Sequence, residues 1–74
     1  PPEYPNQERG RVVVEVTVDQ RGNITKAIPG VTGSTTLNSE LLRAAEKAAL
    51  NAKFNVNFNA PPQVGTITYI FKLQ

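Results

Sequence analysis

The chain is 74 residues long and 8.1 kDa, enough for one domain built around one core. It contains no cysteine, histidine, methionine or tryptophan, which removes most zinc, copper and haem ligation and every cysteine- or histidine-based nucleophile arrangement. A hydrophobic fraction of 39%, 19% charged residues and a net charge of +2 describe a small globular domain, neither disordered by charge nor basic enough for nucleic-acid binding.

Without a disulfide or metal to staple it, such a domain is expected to hold together by matched apolar faces worth ~3–5 kcal/mol. The longest apolar runs, such as Val12 to Val14, fall far short of the roughly 20 residues a membrane span needs. Because the chain opens on Pro1-Pro2 without an initiator methionine or a signal pattern, we expect a piece of a longer protein whose anchor lies elsewhere.

Residues Pro1 to Gly10 read as an extended lead-in, with Pro1, Pro2 and Pro5 favouring polyproline geometry. From Arg11 the pattern alternates: Val12, Val14, Val16 and Val18 form one face, and Arg11, Val13, Glu15, Thr17 and Asp19 the other. That is a half-buried first strand. Asp19 to Asn23 carries turn chemistry, with Gly22 and Asn23 accepting positive φ, so a hairpin into Ile24 follows. The second strand, Ile24 to Ile28, is closed by Pro29-Gly30.

Val31 to Leu37 is expected to be a loop ending at Asn38, a good N-cap, with Glu40 in the first helical turn and Leu37 positioned to staple against Leu42. The helix is predicted from Ser39 to about Lys53. Leu41, Leu42, Ala45, Ala48, Ala49 and Ala52 make its apolar stripe, Arg43, Glu46, Lys47 and Asn51 line the other side, and Leu50 sits at the margin. Asn55 to Gln63 reads as loop, with Phe54, Val56 and Phe58 tucked inward. Gly65 opens a last strand, Thr66 to Leu73, whose Ile67, Tyr69, Phe71 and Leu73 face inward.

These elements predict an α+β fold of order β-β-α-β: a three-stranded antiparallel sheet, strand order 2-1-3, with one helix on one face. The last strand is then an edge that is long, β-branched and aromatic, free of proline and guarded by one late lysine. Soluble proteins cover such edges or use them to add a strand from a partner or from a second copy. Either the strand is used in this way, or the Pro1 to Gln7 lead-in covers it, or the edge is tolerated.

Catalytic and metal signals are weak. Gly30, Gly33 and Ser34 precede a helix but lack the lysine of a phosphate-binding loop and the spacing of a dinucleotide fingerprint. Glu15 and Asp19 would stand roughly 13 Å apart on one strand, beyond the ~5–9.5 Å of paired glycosidase carboxylates. Asn23-Ile24-Thr25 matches a glycosylation acceptor, yet the turn already accounts for Asn23. The expectation is a protein that is not an enzyme and carries no cofactor or metal.

The chain resembles the C-terminal domain of the TonB family of energy transducers. The resemblance rests on Glu3-Tyr4-Pro5 before the first strand, Gly10-Arg-Val-Val-Val-Glu-Val-Thr-Val-Asp19 with Gly22 in the turn, the alanine-rich helix ending in Ala52-Lys53-Phe54, and Gly65-Thr-Ile-Thr-Tyr-Ile-Phe-Lys-Leu73. It differs in having Ala52 where a tryptophan is usual and Glu3 where a glutamine often stands. The resemblance implies a periplasmic domain of an inner-membrane-anchored protein, transmitting force drawn from the proton gradient. Its partners would be an outer-membrane transporter, whose TonB box adds as a strand, and, through the N-terminal part, an inner-membrane motor complex; nucleic acid is not among them. Carried over by position, Thr66, Ile67, Thr68, Tyr69, Ile70, Phe71, Lys72 and Leu73 form the docking strand and Tyr4 and Pro5 border it. A homodimer through the last strand is a further expectation. The alternative is a TonB-like interaction or sensory appendage of another membrane protein, such as a regulatory peptidase-like receptor.

Overall fold

The structure, a computed structural model, describes residues 9–53 and 62–72. Its elements are β1 (Gly10–Val18), β2 (Ile24–Pro29), α1 (Ser39–Leu50) and β3 (Gln63–Phe71). They form an antiparallel sheet of order β2-β1-β3 with one helix, the α+β arrangement expected from the alternation and the alanine stripe.

The central strand carries the core. Val12, Val14, Val16 and Val18 are buried on the helix side together with Leu41, Ala45 and Ala49. The three helix positions recur every four residues and so lie along one stripe. The small alanines let the helix axis approach the sheet. Ile24 and Ala27 from β2 and Ile67, Tyr69 and Phe71 from β3 pack against this cluster while remaining partly exposed. The helix packs on β2 and β1 more than on β3, so among the described elements the helix covers the inner face of β3 least.

Local signals account for the connections. In the β1–β2 turn Asp19 Oδ1 accepts from the Arg21 and Asn23 backbone N–H groups at 2.8 and 2.9 Å, and Gly22 takes φ 88°, as its lack of a Cβ allows. The register slips between Thr17 and Val18, where Thr25 is the extra residue of a bulge. At the helix start Asn38 Oδ1 accepts from Glu40 and Leu41 N–H at 2.9 and 3.1 Å, satisfying two of the otherwise orphaned donors. Glu40 lies in the first turn and Lys47 in the last, matching the helix dipole.

Several expectations are corrected. Gly10, read as lead-in, is the first residue of β1 and pairs with Phe71. β2 includes Pro29, opposite Val14. The helix stops at Leu50 with Asn51 as its C-cap, not near Lys53, and Lys53 instead bridges to Asn23. Ala48 is exposed: it lies about 60° from the centre of the Leu41–Ala45–Ala49 stripe and its methyl is too short to reach the sheet. Leu37 remains 71% exposed, although a methyl of Leu37 and one of Leu42 both come within 3.3 Å of where a Cβ on Gly30 would sit. β3 begins at Gln63, so Gln63 and Gly65 belong to the strand because β1 pairs with it over nine positions, from Gly10↔Phe71 to Val18↔Gln63. Lys72 lies just beyond the strand. Tyr4, Pro5 and Leu73, the Pro1 to Gln7 lead-in and the inward placement of Phe54, Val56 and Phe58 fall outside the described residues.

Candidate strand-docking edge

The two sides of β1 are satisfied differently. Toward β2 its backbone partners continue past Pro29 into the following loop. Val13 C=O accepts from Gly30 and Val31 N–H at 3.0 and 3.2 Å, and Arg11 C=O accepts from Thr35 N–H at 2.8 Å. Where the loop offers no carbonyl, hydroxyls replace it: Ser34 Oγ accepts from Val13 N–H at 2.9 Å and Thr35 Oγ1 from Arg11 N–H at 2.7 Å. The Gly30, Gly33 and Ser34 segment therefore completes the sheet. Gly33, at φ 104°, lies close over Val13, and Arg11 Nε donates to its carbonyl at 3.0 Å. This loop explains why Val13, on the face predicted to meet water, is buried.

These bonds fix the parity of the sheet. Odd residues of β1 direct their N–H and C=O toward β2 and the loop, so the even residues direct theirs toward β3. The hydrogen-bonded pairs of the β1–β3 ladder are then those of the even β1 residues: Gly10↔Phe71, Val12↔Tyr69, Val14↔Ile67, Val16↔Gly65 and Val18↔Gln63. It follows that Val64, Thr66, Thr68 and Ile70 turn their N–H and C=O groups away from β1, into the outer edge. Among the described residues no strand lies there, β3 being the end of the sheet.

The side chains follow the same alternation. Ile67, Tyr69 and Phe71 lean inward and are half-buried, while Val64, Thr66, Thr68 and Ile70 are exposed on the outer face. The expected docking strand thus divides into two sets: Ile67, Tyr69 and Phe71 hold β3 to β1 and the core, and Thr66, Thr68 and Ile70, joined by Val64, present the free edge. Val64 was missed at the sequence level because the Pro61-Pro62 pair and Gly65 hide the start of the strand. The β2 edge is less available, being short, closed by Pro29 and packed against the helix.

Elsewhere the chemistry is sparse. The outer side of the helix has an open depression lined by Arg43, Glu46, Lys47, Leu50 and Asn51. Among the described residues no three potential metal ligands come together, and no helix is long and apolar enough to cross a membrane. Asp19 has its pKa lowered, chiefly by the hydrogen bond from the Asn23 backbone; desolvation opposes it, and smaller lowering contributions come from the Arg21 backbone, the Asn23 side chain and the Arg21 charge. Its role is to hold the hairpin turn. Comparisons of the chain with protein-family models, curated proteins and solved structures find no match.

Proposed function

We propose that this domain is a peptide-binding module that takes an extended segment of a partner onto the outer edge of β3 by strand addition. The observation that carries the reading is the row of outward backbone groups at Val64, Thr66, Thr68 and Ile70 on a nine-residue edge strand. In this mode main-chain hydrogen bonds supply affinity and alternate side chains supply selectivity. The resemblance to TonB C-terminal domains supports a specific version: a periplasmic module of an energy transducer that docks the N-terminal box of an outer-membrane active transporter and transmits force to it.

The test is a titration of isotopically labelled chain with a synthetic transporter N-terminal peptide, followed amide by amide. Shifts concentrated at Val64, Thr66, Thr68 and Ile70 are expected. Shifts confined to Ile24–Pro29, or to Arg43, Glu46 and Lys47, would place binding elsewhere and overturn the proposal. Thr68→Ala should weaken binding only modestly, because its backbone remains.

A further inference from the structure

Charge is distributed unevenly along the outer edge. The β1–β3 ladder pairs Arg11 with Ile70 and Gly10 with Phe71, so Arg9 and Lys72 flank its last rung. Arg9 and Lys72 are both exposed and stand around the Ile70 end of the edge, whereas Arg11, whose Nε donates to the Gly33 carbonyl, holds its guanidinium toward the loop on the other side of β1. Among the described residues neither Arg9 nor Lys72 has a carboxylate partner. On that face of the sheet Glu15 is four residues along β1 from Arg11, roughly 13 Å at strand rise. Asp19 belongs to the hairpin turn at the far end, and Glu40 and Glu46 to the helix on the opposite face. At the other end of β3, Val64 pairs with Thr17, Pro62 and Gln63 beside it are uncharged, and the lysine on that face, Lys26 opposite Thr17, is on β2, two strands in from β3.

Resting on the strand-addition reading, we propose that the docked segment is acidic at the end that lies beside Ile70 and Lys72. Side chains of an added strand alternate in step with their neighbours. A carboxylate opposite Thr68 or Ile70 on the outer face therefore projects toward Lys72. At the Gln63 end the cation on that face, Lys26, is three strand spacings from an added strand, roughly 14 Å, and gives a weaker return. The charge gradient along the edge consequently selects the direction and register of a ligand whose backbone alone would fit several.

The experiment uses the labelled chain and three peptides that share one uncharged extended core, with two glutamates at the N-terminal end, at the C-terminal end, or absent. One acid-ended peptide is expected to bind about three- to tenfold tighter than the uncharged one at low salt. That advantage should vanish at about 1 M salt, where the screening length falls to ~3 Å. Lys72→Glu, an exposed substitution verified by unchanged β1 amide shifts, should remove the preference and transfer it to a lysine-ended peptide. Equal affinities for all three peptides, with shifts at Val64, Thr66, Thr68 and Ile70, would overturn the acidic partner and leave strand addition standing. If no peptide moves those amides at millimolar concentration, both proposals fail. An acid preference that survives both Lys72→Glu and Arg9→Glu would also overturn this one.

Discussion

Val13 gives its backbone N–H to the hydroxyl of Ser34 at 2.9 Å, a bond between residues 21 positions apart. The hydroxyl stands where a neighbouring strand would present a carbonyl. Replacing it should cost what any part-buried amide costs when its acceptor is removed, about 1–2 kcal/mol. Ser34→Ala is expected to lower the urea midpoint with an unchanged m-value and to speed hydrogen exchange at Val13 more than at Val14. Equal exchange at both residues would show that water replaces the hydroxyl without loss.

Adjacent residues of β3 should respond oppositely to proline. Tyr69 lies opposite Val12 and by parity its N–H points into the ladder, whereas that of Ile70 points into the edge. Ile70→Pro therefore removes no ladder bond and should leave a folded domain that no longer binds an added strand. Tyr69→Pro should unfold the domain, with loss of its far-UV circular dichroism. Both proteins folded, or both unfolded, would show the parity to be misassigned.

Two glycines predict opposite signs. A Cβ on Gly65 meets nothing within 4 Å, and its strand conformation suits any residue, so Gly65→Ala should stabilise by about 0.4–1 kcal/mol. A Cβ on Gly33 would lie 3.2 Å from Val13 Cγ2 at a φ of +104°, so Gly33→Ala should destabilise by at least that much. Thermal melts of the two variants are the measurement, and a shift in the same direction would contradict the contrast.

The hairpin turn predicts a pH dependence. Asp19 has its pKa lowered in the fold by the Asn23 and Arg21 backbone hydrogen bonds, so its contribution is fully present above the unfolded value of about 3.9 and is lost as pH falls through the lower folded value. The melting temperature of the native chain should exceed that of Asp19→Asn by a constant amount above about pH 5 and converge with it as pH falls through the lowered folded value. A difference that stays constant across this window would remove the charge of Asp19 from the stability of the turn.

Much of this architecture is legible in the sequence because its signals are local. The Val12, Val14, Val16 and Val18 alternation, the Asp19–Gly22 turn and the Asn38 cap each act within a few residues, and strand order follows from their succession. What stays hidden depends on distant partners. Gln63 and Gly65 become strand only because β1 pairs with them, against the local tendency of Pro62 and Gly65. Val13 becomes buried because a loop some 20 residues later covers it. The free edge is visible as a composition in Thr66 to Phe71, but which of its amides face outward follows only from the bonds that Val13 and Arg11 make on the opposite side of β1.

The same layout sets how the domain would answer tension. β1 begins at Gly10, opposite Phe71 at the end of β3, so a pull on the start of β1 against a partner that leaves the edge at the Gln63 end would run along the strand axes. The ladder of nine facing pairs between β1 and β3 has its hydrogen bonds perpendicular to that axis. They would be sheared together instead of unzipping one rung at a time, so that parting β3 from β1 under such a load would require many bonds to fail at once.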